Sequence, residues 1–168
     1  MEFTKVISER FSTRSFSDKK VEKEKLAEIL EAARLAPTAR NMQTFKIYVV
    51  ESAEGLKCID EATKCRFNSS TVLVICGDKD NGYVHGEHSF IDIDTSIVTT
   101  HLMLAATNVG INNIWIGNFE PDIIKEKLNI PDNLVAVSLL PLGYKTDDFE
   151  PSPMHTTRKN IEELVEYK

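Results

Sequence analysis

"TVLVIC", residues 71–76, contains no charged side chain and shows no alternation of apolar with polar residues. A strand with one face in water alternates, whereas an unbroken apolar run fits a strand covered on both faces. The stretch therefore predicts a central strand, and the rest of the chain must supply the neighbours and layers around it. TFKIYVVE, residues 44–51, is rich in aromatic and β-branched residues and reads as a second strand. LVAVSLLPLG, residues 134–143, reads as a third, and INNIWIGNF, residues 111–119, carries a short fourth.

Helical spacing accounts for most of what lies between. Leu26, Ile29, Leu30 and Ala33 follow i, i+3, i+4, i+7, the strongest amphipathic pattern in the chain, and Pro37 stops it. Phe3, Val6 and Ile7 predict a short opening helix that ends near Arg10, and Ser52 is placed to cap a helix over AEGLKCIDEATK. Residues 91–109 are apolar on more than one side, which predicts a long buried helix halted at Gly110. PDIIKEKLN is entered through Pro121, and NIEELVEYK reads as a closing helix. Residues 77–90 read as a polar loop. No repeat or linker interrupts the pattern, so residues 1–168 read as a single α+β domain of α/β-type layering, with helices covering a sheet of about four strands.

Composition narrows the function. The 168 residues are 42% hydrophobic and 27% charged, proportions of a folded domain rather than a disordered or fibrous chain. A net charge of -6 argues against a general grip on nucleic acid, so any anion site must be local. MEFTKVISER has no apolar signal-peptide core and no later run spans a bilayer, which sets the expectation of a cytoplasmic protein without a membrane partner. Three cysteines without C-x-x-C spacing, Cys58, Cys65 and Cys76, read as reduced structural thiols.

Four segments hold polar groups suited to a ligand. RFSTRSF, residues 10–16, follows a helix and offers two guanidinium forks, Arg10 and Arg14, around Ser12, a set suited to a phosphate or a polarised carbonyl. APTARNMQTFKIYVV, residues 36–50, gathers Pro, Thr, Asn and Gln where side chains and amides can hydrogen-bond a heterocycle, or simply cap a connection. Gly117 in NNIWIGNF allows close approach of backbone to a ligand. Arg158 in HTTRKNIEEL precedes a helical pattern, where a cation opposes the helix dipole unless an anion is present. His85 and His88 have H-x-x-H spacing but no evident third ligand, and His101 reads as a satisfied residue of the long helix. Asp92 and Asp94, two apart on that helix, point to different sides and do not form an acid/base pair. The glycine-rich nucleotide loops and the G-x-S-x-G hydrolase elbow are absent.

Taken in order and spacing, these segments resemble the nitroreductase family of FMN-dependent flavoproteins. RFSTRSF is similar to the family's Arg-Arg/His-Ser-x-Arg/Lys segment, and APTARNMQTF to its Ala-Pro-Ser-x-x-Asn-x-Gln-Pro-Trp. LAATNVGINNIWIG resembles Leu-Ala-Ala-x-x-x-Gly-Leu-Gly-x-x-Trp-Ile-Gly, and LPLGYKTDD with RKNIEELV resembles the closing strand and basic terminal segment. The chain departs from the pattern at Thr44 and Phe45, at Asn112 and Asn113, and at Asn160, and it is short where many members carry extra helices.

The resemblance implies an FMN-dependent fold with a mostly antiparallel central sheet of four to five strands, assembled as an intertwined homodimer. It implies that Arg10, Ser12 and Arg158 hold the phosphate of FMN and that Arg14 faces the N1/C2 carbonyl edge of the ring. Pro37, Thr38, Ala39 and Asn41 would come from the partner subunit, with Gln43 nearby, and Trp115, Ile116 and Gly117 would lie along the ring. It implies an enzyme that passes electrons from NADH or NADPH through FMN to a small electron-poor acceptor, a nitroaromatic or a quinone, by a ping-pong mechanism, with no catalytic side chain of its own and no metal. A flavin-binding redox sensor or cofactor store is the alternative, and beyond it stand a flavin-fragmenting or dehalogenating member and a metalloprotein built on His85 and His88.

Overall fold

The computed structural model describes all residues 1–168. TVLVIC lies in β2 (Thr71–Asp78), where every residue from Thr71 to Gly77 is buried. Its side chains alternate between two cores. Val72, Val74 and Cys76 pack on one face with Ile59 and Ala62 of α3 (Ala53–Ala62) and Ile124 of α5 (Pro121–Lys127). Leu73 and Ile75 pack on the other with Ile29 and Ala33 of α2 (Lys23–Arg34) and Val98, Leu102 and Ala106 of α4 (Ile91–Asn108). A period of two along one apolar strand thus feeds two helical layers, which explains the absence of polar alternation.

The four-stranded sheet has the order β1-β2-β6-β5, with β1 spanning Phe45–Val50, β5 Asn112–Asn113 and β6 Leu134–Gly143. Every neighbouring pair is antiparallel. A bulge between Ile75 and Cys76 shifts the β2–β6 register beside Ser138, whose buried hydroxyl meets that of Thr99 on α4 at 2.8 Å. The opening helix is α1 (Phe3–Glu9), and Ser52 caps α3 by accepting from the Gly55 amide at 3.1 Å.

Two expectations are corrected. The predicted loop over 77–90 contains the end of β2 and a small hairpin, β3 (Val84–His85) with β4 (His88–Ser89). Its turn uses Gly86 at a φ of 61°, a left-handed conformation that glycine adopts without a Cβ penalty. The predicted closing helix over NIEELVEYK is only a single turn, Ile161–Glu163, started by a capping box between Asn160 and Glu163. Ile161, Leu164 and Val165 are exposed and find no apolar surface within the chain, so nothing offsets the cost of extending so short a helix. No helix is long and apolar enough to cross a membrane.

Candidate active site

The loop after α1 is fixed by pairing on both sides. Ser12 bridges Asn113 of β5, the Thr13 amide donates to the Asn113 carbonyl at 3.0 Å, and Phe16 bridges Lys145 beyond β6. Thr13 and Phe16 are buried, which turns Arg14 outward between them. RFSTRSF is therefore held in an extended course along the sheet margin, not a free surface loop.

Arg10, Ser12 and Arg14 line a cavity of about 400 Å³, within the range of small-molecule sites, about 300–1,000 Å³. Arg158 and His155 also line it, brought there by a turn over Pro153–His155, and Phe11 and Met154 add apolar surface. No carboxylate lines this cavity, and none of the three arginines forms an ion pair, although acids outnumber bases in the chain. Arg158 spends one guanidinium nitrogen on the carbonyls of Met154 and Thr157, at 3.1 and 2.7 Å. Burial, and then the nearby Arg158 charge, lower the pKa of Arg10 below its ordinary value. Cations converging without a counter-charge are repulsive, and a bound anion removes the repulsion.

Asn113, which Ser12 bridges, leads into Trp115, Ile116 and Gly117, none of which lines the arginine cavity. Ile116 is turned into the core, and both its backbone groups are spent on Leu139, at 2.9 and 3.0 Å. Ile116 therefore offers its neighbours, not itself, to a ligand. The amides of Trp115 and Gly117 donate to no protein acceptor, and both residues are exposed. A Cβ on Gly117 would lie 2.8 Å from the Trp115 ring, so the glycine lets that ring fold back over the backbone.

Pro37, Thr38, Ala39, Asn41 and Gln43 do not line the arginine cavity. Their loop packs against α4, where it is tightly specified. The Ala39 amide donates to the Asp94 carboxylate at 2.9 Å, and the Gln43 amide donates to Thr38 Oγ1 at 3.0 Å. Arg40, Asn41 and Gln43 have φ of 52°, 55° and 53°. The left-handed region costs roughly 1–2 kcal/mol per residue, least for Asn, and persists only where surrounding contacts impose it. The Arg40 guanidinium stacks over the Tyr83 ring at 4.8 Å, closing the loop from its far side.

Sequence reasoning missed His155, Phe11 and Asp94. The ring of His155 meets Phe11 edge-on at 6.1 Å, and an imidazole three residues before Arg158 was the available signal. Asp94 is only 4% exposed while Asp92 faces solvent, so the two carboxylates do diverge as their spacing requires. The signal for Asp94 was a lone acid on a face of α4 that otherwise buries Val98 and Leu102. His101 is half-buried, with Nδ1 at 2.9 Å from the Ile97 carbonyl. His85 and His88 face each other across the hairpin, both exposed, with no third ligand-type side chain joining them.

The model of the nitroreductase family matches residues 7–72 and 67–144. The chain belongs to the nitroreductase family. A relative from Archaeoglobus fulgidus, named as an NADH dehydrogenase/NAD(P)H nitroreductase, is 35% identical over 155 residues, covering 88% of this chain and 87% of its own. A nitroreductase family protein of Clostridium difficile 630 superposes with a TM-score of 0.93 at 37% identity, covering 100% of this chain and 99% of the other. A nitroreductase of Exiguobacterium sibiricum, solved in complex with FMN, superposes with a TM-score of 0.85 at 26% identity, covering 100% and 98%. The antiparallel sheet between two helical layers is thus the nitroreductase fold, and the names of its relatives make this an oxidoreductase family.

Proposed function

We infer that the chain is an FMN-dependent NAD(P)H oxidoreductase that reduces small electron-poor acceptors, nitroaromatics or quinones. The observation that carries the reading is the cavity of three arginines and no carboxylate in an acidic protein. That donor set fits a flavin mononucleotide at both of its polar ends. Arg10, Ser12 and Arg158 would hold the phosphate, joined by His155, and Arg14 would lie at the carbonyl edge of the ring. Bound flavin supplies two-electron chemistry that takes hydride from a nicotinamide and delivers it to a second substrate. The protein's own contribution would be electrostatic: the Arg14 guanidinium, which donates to the Ser12 carbonyl at 3.5 Å, would stabilise negative charge on the reduced ring. The free amides of Trp115 and Gly117 are donors of the same kind, already oriented by the strand pairing of Ile116.

Two substrates using one open cavity in turn give ping-pong kinetics, with the donor leaving before the acceptor enters. Pro37, Thr38, Ala39, Asn41 and Gln43 would serve the cavity of a second copy, which makes the working unit a homodimer. The exposed apolar residues Phe3 and Ile7 of α1, and Ile161 and Leu164 of the terminal turn, supply unpartnered surface for that assembly.

Alanine variants of Arg14 and Arg158 test the division of roles. Arg14→Ala should weaken FMN binding and also slow reduction of bound flavin by NAD(P)H in stopped-flow measurements. Arg158→Ala should weaken binding by about tenfold or more, the size of one charge-assisted contact, and leave the reduction rate of the loaded enzyme unchanged. Equal slowing in both variants would contradict the assignment.

A further inference from the structure

Asp94 is an acid buried where nothing in the fold supplies it with a cation. The residue is 4% exposed, no lysine or arginine pairs with its carboxylate, and its hydrogen-bond partner is the Ala39 amide at 2.9 Å. A buried carboxylate is an expensive way to accept one amide proton, since a serine or asparagine does it without burying charge. The position in α4 offsets part of that cost. Asp94 lies in the first turn of an 18-residue helix, where the helix dipole favours negative charge. A charged acceptor also makes a shorter, stronger bond than a neutral one.

The segment it grips is the most strained in the molecule. Within five residues after Thr38, Arg40, Asn41 and Gln43 are left-handed without being glycine. Beside the loop's own backbone bonds, from the Asn41 amide to Thr38 and from the Met42 amide to Ala39, four side-chain ties hold that conformation: Asp94 to the Ala39 amide, Thr38 Oγ1 to the Gln43 amide, Gln43 Nε2 to the Asn41 carbonyl, and Arg40 over Tyr83. Only the first anchors the loop to the buried framework of the domain. The others stay within the loop or join the exposed Arg40 to the half-buried Tyr83.

We propose that Asp94 is a positioning residue for the cofactor: through the Ala39 amide it clamps the strained 38–43 loop, which does not line this chain's own arginine cavity, in the conformation that would meet the flavin of a second copy. The inference rests on the flavin reading above and assigns to α4 a part in cofactor binding without contact. The strain is retained because it holds the backbone and the polar side chains of Asn41 and Gln43 in one ligand-ready arrangement, so binding does not have to order the loop. Without the carboxylate the loop relaxes toward ordinary φ values and must be reordered each time flavin binds.

The test compares Asp94→Ala with Asp94→Asn, which keeps an acceptor oxygen, by amide hydrogen exchange on the flavin-free protein and by FMN titration followed through flavin fluorescence. Asp94→Ala should speed exchange of the Ala39 amide by about ten- to a hundredfold, the size of one charge-assisted bond, while Leu73 and Ile75 in β2 keep wild-type protection. FMN affinity should fall by about tenfold or more in Asp94→Ala and be largely restored in Asp94→Asn. Wild-type FMN affinity in Asp94→Ala would overturn the proposal. So would an Asp94→Asn variant no better than Asp94→Ala, or loss of protection across β2 together with Ala39. Should the wild-type protein take up no FMN while the Ala39 amide responds as stated, the flavin reading fails and the cofactor role falls with it, leaving only a loop clamp.

Discussion

Replacing Arg10 by glutamine separates function from stability. Arg10 has no carboxylate partner, is half-buried, and feels the Arg158 charge, so in the flavin-free protein its guanidinium is held against repulsion. A cation whose folded pKa is lowered destabilises the folded state while it is charged, which for an arginine means throughout the working pH range. Arg10→Gln should therefore leave the thermal midpoint of the flavin-free protein unchanged or raise it. The same substitution removes a charge-assisted contact to the phosphate, a loss of about 1.5–3 kcal/mol, or about tenfold to 140-fold in Kd for FMN. Riboflavin has no phosphate and serves as the internal control, with affinity unchanged in the variant. Fluorescence titration with both flavins and a melting curve of the apoprotein give all three quantities. Equal losses for FMN and riboflavin, or a lowered melting midpoint without ligand, would refute the assignment of Arg10 to a phosphate.

Two further predictions concern the scaffold. Thr99→Val leaves the buried Ser138 hydroxyl without its 2.8 Å partner and should cost about 1–3 kcal/mol in urea unfolding, most of it recovered by adding Ser138→Ala. An additive double variant would contradict the pairing. The Tyr144 hydroxyl, donating at 2.6 Å, and then Glu22's own backbone amide, Lys25 and Lys19 hold the Glu22 carboxyl down at about 2. A depressed carboxyl stabilises the fold above its unfolded pKa, near 4.5, and that contribution disappears as pH falls through 2. Glu22→Gln should therefore flatten the melting-temperature profile between those limits and leave the profile near neutrality unaltered in shape.

The middle of the sheet was legible because β2 and β6 are long and apolar: β2 needs no alternation when both faces meet helices, and β6 is buried without a break from Ser138 to Gly143. The hairpin at 84–89 was not, because its strands have two residues each and their exposed side chains carry no apolar period. The closing helix was read from an apolar spacing that is present in Ile161, Leu164 and Val165, yet a spacing predicts a helix only where a surface exists to receive it. Of the site, Arg10, Ser12, Arg14 and Arg158 announced themselves as unpaired polar groups in a fixed order. Their convergence on one cavity depends on the parallel bridge between Ser12 and Asn113 and on the turn at Pro153–His155, long-range pairings invisible to local pattern. Asp94 was hidden for the opposite reason: its role follows from burial beside a loop distant in sequence, not from its residue type.

The account turns on whether the arginine cavity takes a flavin, and the visible spectrum of the purified protein measures this most directly. The protein should be yellow as isolated, or become so on incubation with FMN, with absorbance bands shifted from those of free flavin and bleached by anaerobic addition of NADH or NADPH. A protein that stays colourless after incubation with FMN would contradict the account.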